Sequence, residues 1–390
     1  MRILISTDTY YPHVNGASYF TQRLAYQLKE RGHEILIVAP GDHLFSGYTK
    51  KNALTVFGVR SIPVFLYNNF RLVLPIGLEK TIEKIILDFK PDIIHVQGHF
   101  TVSKQVIVSA KKNNIPVMGT NHFMPENLTH YLHLPRYLDE KLKAWAWRDF
   151  RKVFEKLQIV TTPTRAAAGL IKKFGFAKEV HPVSCGIDLV RFNPVKRDET
   201  IKKKYNLPDL PLLLYVGRID REKNLDLVLK AVSQVPQNIK FHFVIGGKGA
   251  EKKKLEALTE RLGTQKRVTF LGFLPDEDLP KLEASCDCFV NAGTAELQCI
   301  AAMEAMASGL PVIAVDAVAL PELVHDEKNG YLFPPGDSKK LAECIIKMFS
   351  DEQLRSKMAR KSLEIIEPHE IAKTIDQFEL FYKKLLNEKI

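Results

Sequence analysis

The sequence predicts an α/β protein built from two doubly wound, Rossmann-like domains. Three observations carry this prediction. Short apolar strands alternate with amphipathic helices, the alternation begins twice along the chain, and 390 residues are enough for two hydrophobic cores. The composition, 45% apolar and 26% charged, is ordinary for a globular chain. No apolar run approaches the ~20 residues that span a bilayer.

The first set of elements begins at the N-terminus, where MRILISTD enters a strand at once and has no signal-peptide layout. After the strand Arg2–Ser6, a turn-rich loop ends at Asn15 and Gly16, and Ser18–Arg31 has helical periodicity. Further strands are predicted at 34–39, 93–97, 116–120 and 159–162. The loop lies at the carboxyl end of the first strand, where such sheets bind ligands.

The second set starts afresh with the apolar strand 212–217 and repeats the alternation to a strand at 312–315. We place the linker near Phe192–Val195, which gives an N-terminal domain of residues 1–195 and a C-terminal domain of residues 196–367. Pro368 interrupts the last helical stretch. Residues 368–390 are therefore expected to form a helix that packs elsewhere, back on the first domain.

The stretch GTAELQCIAAMEAMASGLP, residues 293–311, predicts a buried helix from about Glu296 to Ser308. On such a helix Glu296 and Glu304 would lie about 12 Å apart along the axis. Buried carboxylates need partners. These two pair with basic side chains elsewhere, or the helix is a platform for a ligand.

In the ligand interpretation, the glutamates accept hydrogen bonds from hydroxyl groups. The amides of Leu297, Gln298 and Cys299, at the predicted helix start, face an anion. A nucleotide-sugar has both the hydroxyl groups and the phosphates that this arrangement requires.

Three loops carry further candidates. Arg218 and Lys223, in VGRIDREKNLD, are solvated cations or a pair that binds a diphosphate at a strand's carboxyl end. The turn around Gly247 lacks the G-x-G-x-x-G spacing of dinucleotide sites but permits close backbone approach to a nucleotide. His122 follows a strand of the first domain and is either a satisfied, half-buried histidine or a substrate contact.

The net charge of +11 lies entirely in residues 1–195, which hold 26 Lys and Arg against 15 Asp and Glu, whereas residues 196–390 hold 30 of each. This asymmetry indicates an anionic partner for the first domain: a membrane surface, a nucleic acid or an acidic substrate.

The helix predicted at 136–157 has an apolar stripe flanked, about 100° away, by a basic one. The basic stripe comprises Lys141, Trp145, Arg148, Lys152 and Lys156. The tryptophan either packs under a loop or lies, among cations, in a membrane interface.

The five cysteines are scattered. Cys286 and Cys288 lack a second Cys or His pair, so we expect no metal site. We expect no cofactor either, since a nucleotide-sugar would be a substrate. A reducing cytoplasm is the simplest setting.

Taken together, these motifs resemble family 4 glycosyltransferases, retaining enzymes of the GT-B fold, in which two Rossmann-like domains face each other across a cleft. The resemblance rests on the NGA loop, GRIDREKN, GGKG, the two glutamates within AELQCIAAMEAMASGLPV, and ELVHDEKNGYLFPPGD. Ala17 departs from the pattern, since many members have a second glycine there. NHFMPEN looks like the corresponding segment of bacterial enzymes that glucosylate diacylglycerol.

The resemblance implies roles for the candidate residues. Arg218 and Lys223 would hold the donor diphosphate, and Glu296 would contact the donor sugar beside the Leu297 and Gln298 amides. The remaining implied roles are ribose binding by Glu304, approach to the diphosphate at Gly16 and Gly247, and sugar contact by His122.

The implied reaction moves a hexose, glucose from UDP-glucose in the main interpretation, to a membrane lipid such as diacylglycerol. The protein would then lie in the cytoplasm, peripherally on the inner face of the cell membrane, with an anionic membrane surface as partner. Alternatives are a GDP-mannose-dependent mannosyltransferase acting on phosphatidylinositol or a soluble sugar, a sugar-nucleotide 2-epimerase, and a basic nucleic-acid-binding protein. The last is disfavoured because no recognisable nucleic-acid module is present.

Overall fold

A computed structural model describes residues 1–10, 16–41, 46–51, 53–63, 71–125 and 135–387. The chain forms two compact units: unit 1 comprises Met1–Cys185 and the chain from Ala372 onward, and unit 2 comprises Gly186–Ile371. This division precedes the linker placed near Phe192–Val195. Ile187 N donates to His369 O at 2.8 Å, and Ile371 N donates to Ile187 O at 2.9 Å. The chain thus enters and leaves unit 2 through adjacent, paired backbone.

Within the described part of unit 1, eight strands form one sheet in the order β10-β9-β8-β7-β1-β2-β4-β3, parallel except for the β3–β4 pair. The strands are β1 (Arg2–Ser6), β2 (Glu34–Pro40), β3 (Gly47–Lys51), β4 (Leu54–Val59), β7 (Ile93–Val96), β8 (Val117–Thr120), β9 (Ile159–Thr162) and β10 (His181–Pro182). A separate antiparallel pair is formed by β5 (Ser61–Pro63) and β6 (Arg71–Val73). The helices of this part are α1 (Gly16–Glu30), α2 (Leu78–Phe89), α3 (Thr101–Lys112), α4 (Arg136–Phe154) and α5 (Arg165–Lys173).

Unit 2 contains a six-stranded, fully parallel sheet in the order β13-β12-β11-β14-β15-β16. Its strands are β11 (Leu212–Val216), β12 (His242–Gly246), β13 (Val268–Gly272), β14 (Cys288–Asn291), β15 (Val312–Val315) and β16 (Gly330–Phe333). Its helices are α6 (Glu199–Lys204), α7 (Leu225–Gln234), α8 (Lys252–Arg261), α9 (Leu279–Ala284), α10 (Ile300–Ala307), α11 (Leu320–Leu323), α12 (Ser338–Ser350) and α13 (Glu352–Ile366).

Continuous apolar runs form the strands of unit 2 because parallel strands are covered by helices on both faces. The side chains of Leu212, Leu213 and Leu214 on β11 are completely buried, and helices such as α7 pack their apolar faces against the same core. The strand order reverses between β11 and β14. Ligands of doubly wound sheets bind at this reversal, outside the carboxyl ends of the strands.

The last helix, α14 (Ile371–Asn387), follows a short 3-10 turn at Glu367–His369 that contains Pro368. From Ala372 onward the helix belongs to unit 1. His33 Nε2 lies 2.7 Å from Glu379 Oε1, and His95 Nδ1 lies 2.8 Å from the Tyr382 hydroxyl. Tyr382 is fully buried, so the terminal helix forms part of the first unit's core.

Candidate functional site

Two loops meet where the strand order of unit 2 reverses. The first follows β11 and contains Arg218 and Lys223, and the second follows β14 and contains Glu296. Asn224 Nδ2, at the end of the first loop, donates to Ala292 O of the second at 2.9 Å. The topology therefore brings Lys223 and Glu296 together, although 73 positions separate them in the sequence.

Lys223 and Glu296 form an ion pair, with 2.6 Å between Nζ and Oε1. Their side chains are only 17% and 15% exposed. Burial lowers the pKa of Lys223, but the charge of Glu296 and the hydrogen bond to it raise that pKa by more, so the ammonium group stays charged. The pair places one positive and one negative charge at the predicted ligand-binding edge.

Two carboxylates hold Arg218. Its Nη1 contacts Asp220, and its Nη2 donates to Glu222 Oε1 at 2.7 Å. The side chain of Glu222 is 2% exposed, while that of Arg218 is 24% exposed. The Tyr215 hydroxyl donates to the Arg218 carbonyl at 2.7 Å, which fixes the backbone as well. Sequence reasoning missed Asp220 and Glu222, because the rule that relates spacing to side-chain pairing applies to helices and not to this loop.

The helix predicted to start near Glu296 begins at Ile300 instead. Cys299, the residue before it, has φ of 64°, in the left-handed region that a right-handed helix cannot include. Asn291 Oδ1 accepts from Gly293 N at 2.7 Å, and Asn291 Nδ2 lies 2.9 Å from Cys299 Sγ. These side-chain contacts favour a loop over a longer helix.

This finding corrects two expectations. Glu296 lies on the loop after β14, so the spacing of about 12 Å along a helix axis between it and Glu304 does not apply. Leu297 and Gln298 also precede the helix, and their amides are not those of its first turn. The small and apolar residues after Glu296 predicted a helix from that residue onward. The contacts of Asn291 hold the segment before Ile300 as a loop instead.

Glu304 does lie on α10 and is half-buried. A second carboxyl group, which the sequence did not single out, interacts with Glu304 electrostatically. Glu283 on α9 is completely buried. Burial raises the pKa of Glu283 well above its ordinary value, and the charge of Glu304 raises it further.

The GGKG glycines allow two loops to pack closely. A Cβ on Gly247, where φ is 138°, would lie 1.8 Å from the Gly217 carbonyl oxygen, and one on Gly249 would lie 2.1 Å from that of Ile219. Ile219 N donates to Lys248 O at 2.9 Å across the same contact. Loop packing therefore requires glycine at these positions, whatever contact Gly247 makes with a donor.

His122 is the second residue after β8, at the carboxyl edge of the unit 1 sheet. Its Nε2 donates to Gln97 Oε1 at 2.9 Å, and its ring packs 4.7 Å from that of Phe20. Burial lowers the pKa of His122 to about 3. The imidazole is therefore neutral at physiological pH, with Nε2 as donor and Nδ1 as acceptor. Gly16 begins α1 and is exposed, and Glu126 and Asn127 lie outside the described residues.

Asp8 was also missed by sequence reasoning. Its Oδ2 accepts from Phe100 N and its Oδ1 from Val102 N, both at 3.0 Å, so the carboxylate caps the start of α3. The carboxylate of Asp8 thus occupies the N-terminus of α3.

Comparison with known proteins decides the family. Residues 14–191 match the family described as Glycosyltransferase Family 4, and residues 197–364 match the one described as Glycosyl transferases group 1. Together the two matches cover most of the chain.

The chain is a family 4 glycosyltransferase.

Similar proteins include lipid and sugar glycosyltransferases. The glycosyltransferase is 28% identical to the alpha-monoglucosyldiacylglycerol synthase of Streptococcus pneumoniae over 85% of its own length and 75% of that protein's. It is 25% identical to a GDP-mannose-dependent alpha-mannosyltransferase of Mycobacterium tuberculosis, over 93% and 92% of the two chains. The enzyme is thus a retaining hexosyltransferase.

Solved structures show the fold. The sucrose-phosphate synthase of Thermosynechococcus elongatus superimposes on the glycosyltransferase with a TM-score of 0.81 at 19% identity, over 100% of both chains. Anabaena HepE in complex with UDP superimposes with a TM-score of 0.77 at 20% identity, over 98% of the glycosyltransferase and 100% of the HepE chain. The glycosyltransferase therefore has the GT-B fold.

The helix α4 of the glycosyltransferase presents the predicted basic stripe to solvent. Trp145 is 59% exposed, and Lys141, Arg148 and Lys152 are exposed as well. Trp145 thus does not pack beneath any described residue. The predicted apolar stripe comprises Leu142, Ala146, Phe150, Val153 and Leu157. All of these are buried except Leu142, which is half-buried.

Two details of this helix differ from the prediction. Trp147 was not assigned to the core, yet it is buried and stacks on Phe174 with 4.5 Å between the ring centroids. The helix ends at Phe154, not at Leu157. Lys156 N bonds to Val153 O and Leu157 N to Phe154 O, and these tighter contacts form the closing turn.

Within the described residues of the glycosyltransferase, no helix is both long and apolar enough to cross a membrane. The same part of the chain contains no group of three or more His, Cys, Asp or Glu side chains that could hold a metal ion.

Proposed function

We propose that this glycosyltransferase transfers glucose from UDP-glucose to a hydroxyl group of a membrane lipid such as diacylglycerol, with retention at the anomeric carbon. The ion pair between Lys223 and Glu296 carries the proposal for the donor site, because it joins the two loops at the strand reversal of unit 2. The likeness to the pneumococcal alpha-monoglucosyldiacylglycerol synthase favours the lipid acceptor.

Arg218 and Lys223 bind the donor diphosphate. The carboxylates of Asp220 and Glu222 orient the guanidinium group of Arg218 before the donor binds. Donor binding therefore loses little conformational entropy at Arg218. When the bond from the anomeric carbon to the diphosphate breaks, negative charge grows on the diphosphate oxygens. Two fixed cations stabilise that charge most in the transition state, and we expect them to take the place of a divalent metal ion.

Glu296 accepts hydrogen bonds from hydroxyl groups of the donor sugar. Without donor, Lys223 and Glu296 neutralise each other in a largely buried place. Donor binding offers the ammonium group a diphosphate and the carboxylate sugar hydroxyls, so each exchanges one polar partner for another. The Leu297 and Gln298 backbone, on the same loop, lies beside the sugar, and Glu304 accepts from the ribose.

As the resemblance to the family implies, we assign Gly16 a contact with the diphosphate and His122 a contact with the transferred sugar. Because the imidazole is neutral, it acts through hydrogen bonds and not as a charged acid. The acceptor oxygen forms its bond to the anomeric carbon on the face that the diphosphate leaves, and the acceptor proton passes to a diphosphate oxygen.

The acceptor lies in an anionic membrane. The exposed stripe of Lys141, Trp145, Arg148 and Lys152 supplies cations for the headgroups and an indole for the interface. Tyr137 is 65% exposed on the same helix and extends the stripe, with Lys141 Nζ 4.3 Å from its ring centroid. The enzyme then lies peripherally on the inner face of the cell membrane.

Radiolabelled UDP-glucose, UDP-galactose and GDP-mannose, each incubated with the enzyme and vesicles that contain diacylglycerol or phosphatidylinositol, test this function. We expect label from UDP-glucose in a diacylglycerol product, formed about 10²–10³-fold more slowly by the Lys223→Ala variant. Transfer from GDP-mannose to phosphatidylinositol would contradict the proposal and establish the mannosyltransferase alternative, which the 25% identity to the mycobacterial enzyme favours.

A further inference from the structure

Gln97 directly follows β7 at the carboxyl edge of the unit 1 sheet and has no role in the reaction so far described. The residue is only 3% exposed, and its backbone N donates to Ser6 O at the end of β1 at 2.8 Å. Its Oε1 accepts a hydrogen bond from His122 Nε2 at 2.9 Å. Its Nε2 is buried with no hydrogen-bond partner in the part of the chain that the structure describes. Among those residues, therefore, His122 alone orients the amide.

The ring of His122 is held on a second side by an aromatic contact. It lies 4.7 Å from the ring of Phe20 on α1, and Phe20 lies 5.9 Å from the ring of Phe378 on α14. Phe20 and Phe378 are both fully buried, so they form a firm support. None of the described residues bonds to Nδ1 of His122, and the residue is half-buried. Nδ1 is therefore the nitrogen through which His122 can meet a ligand.

The contact with Gln97 decides where the proton of His122 lies. A neutral imidazole has one proton, and the hydrogen bond that one nitrogen makes determines which of the two carries it. Because an amide oxygen only accepts, the proton lies on Nε2 and Nδ1 has a lone pair. A hydroxyl group that meets Nδ1 must then donate its proton. A group that can only accept, such as fluorine, would face the lone pair and be disfavoured.

We propose that Gln97 is a positioning residue for the transferred sugar: its amide oxygen keeps the proton of His122 on Nε2, so that Nδ1 accepts a hydrogen bond from one sugar hydroxyl group. The donor hexose must therefore present a hydroxyl group at that position, and not merely an acceptor atom. Gln97 acts through His122 and does not itself contact the sugar. This inference rests on the proposed function, in which His122 contacts the transferred sugar.

Nitrogen-15 NMR of the full chain, labelled at histidine, tests the tautomer without any donor. At pH 8, above the ordinary histidine pKa of about 6.5, a neutral ring is expected, and the chemical shifts of its two nitrogens show which one carries the proton. His122→Ala identifies the signals of His122 among those of the 12 histidines. We expect the proton on Nε2 in wild type, and a measurable share on Nδ1 in Gln97→Met, which keeps the length of the side chain but removes the amide.

A proton on Nδ1 of His122 in wild type would show that the amide is turned the other way and would overturn the inference. An unchanged tautomer in Gln97→Met would overturn it as well. If Gln97→Met does not fold, the wild-type spectrum still decides, because the proposal requires the proton on Nε2.

Donor analogues test what the tautomer does in the reaction. UDP-glucose is compared with its analogues that carry fluorine in place of one sugar hydroxyl group, in wild type, Gln97→Met, His122→Ala and the double variant. We expect wild type to transfer one analogue about tenfold more slowly than the effect of fluorine on sugar reactivity explains, because that fluorine faces Nδ1. The effect on reactivity is common to all variants and cancels when they are compared.

This additional penalty should be absent in His122→Ala and smaller in Gln97→Met, where the ring can present a proton to the fluorine. In the His122→Ala background, Gln97→Met should change no rate further, because Gln97 acts only through His122. Ser6→Ala is the matched control: Ser6 is fully buried at the end of β1, and its hydroxyl donates to Ser103 Oγ at 3.4 Å. It removes a polar group from the same edge of the sheet and should change neither the tautomer nor the penalty.

A penalty of the same size in Gln97→Met as in wild type would overturn the inference. If no analogue has a penalty that depends on His122, the sugar contact of His122 is wrong, and the inference falls with it. A wild-type enzyme that transfers no glucose from UDP-glucose would instead overturn the proposed function, while the spectrum still decides the tautomer.

Discussion

The ammonium group of Lys223 and the carboxylate of Glu296 lie 2.6 Å apart, although 73 residues separate them in the chain. Each is the other's charged partner in a place where little water reaches. Substitution of one alone leaves a largely buried charge without its partner, which lowers stability as well as function. Experiments on this site must therefore separate the two effects.

We expect Lys223→Ala to lower turnover by about 10²–10³-fold, because it removes a cation from a diphosphate whose charge grows in the transition state. Arg218→Ala should have an effect of similar size for the same reason. Initial rates with radiolabelled donor measure both.

The Lys223→Ala/Glu296→Gln double variant separates function from folding. It removes both charges, so its unfolding temperature should recover toward the wild-type value while its activity stays low. Lys230→Ala is the control, because it breaks an exposed pair with Asp226 on the same unit and should change neither property. Near-normal rates in both single variants would contradict the donor-site assignment.

The two glutamates should differ in what their substitution affects. Glu296→Gln should lower the rate of sugar transfer more than the affinity for UDP, because in the proposed function Glu296 contacts the transferred sugar. Glu304→Gln should mainly weaken nucleotide binding, since the ribose lies away from the reacting carbon. Calorimetry with UDP and single-turnover rates measure the two quantities, and an unchanged UDP affinity in Glu304→Gln would exclude the ribose role.

Membrane binding should depend on the exposed face of α4. We expect the enzyme to sediment with vesicles that contain phosphatidylglycerol, poorly with neutral ones, and to be released by salt, because each cation near an anionic surface contributes about 1 kcal/mol and is screened. Charge reversal of Lys141, Arg148 and Lys152 to Glu should abolish sedimentation. Trp145→Ala should weaken it beyond the effect of charge, because the indole supplies apolar contact.

A triple reversal of Lys253, Lys357 and Arg360, which are exposed on unit 2, changes the net charge equally and serves as the control. It should leave sedimentation nearly intact, and activity on a soluble short-chain acceptor should survive in both triple variants. Equal loss of binding in the two would show that net charge, and not this helix, holds the protein on the vesicle.

Glu283 should make stability fall as the pH rises. Its pKa is raised in the folded protein, so between the ordinary carboxyl value of about 4.3 and the raised one the folded state binds more protons than the unfolded state. Stability is lost across that interval as the pH rises. Glu283→Gln removes this loss, and its advantage over wild type in chemical denaturation should be larger at pH 8 than at pH 5. An advantage that does not change with pH would contradict this account.

The ion pairs of Glu379 on the terminal helix α14 should give stability the opposite dependence on pH. Burial raises the pKa of Glu379, but the hydrogen bonds from His33 and Arg31 lower it by more, so the net shift is downward. This contribution to stability is present above the ordinary carboxyl pKa and is lost as the pH falls through the lowered one. Glu379→Gln should therefore expose the C-terminal segment to proteases at pH 7, with a difference from wild type that shrinks in acid. The control variant Asp226→Asn breaks only an exposed ion pair with Lys230, so it should not change the protease sensitivity of the C-terminal segment.

The sequence by itself determined the α/β class of the two units and singled out most of the residues that we assign to the candidate site. Periodicity located the strands of both sheets, since the apolar run of β11 and the alternation of α7 reflect local burial. The positions of Arg218, Lys223 and His122 after strands placed them at the ligand-binding edges. These inferences need only neighbouring residues.

Only the tertiary structure decided where the helix before Glu304 begins, where the chain passes between units, and which charges meet. Cys299 adopts a left-handed conformation because Asn291 and the loop hold it there, and no local propensity for cysteine indicates this. Ile187 pairs with Glu370, which lies far away in the sequence. Glu283 looks like an ordinary helix residue until α10 covers it. Such features arise from contacts between segments distant in the chain, which the periodicity of one segment cannot contain.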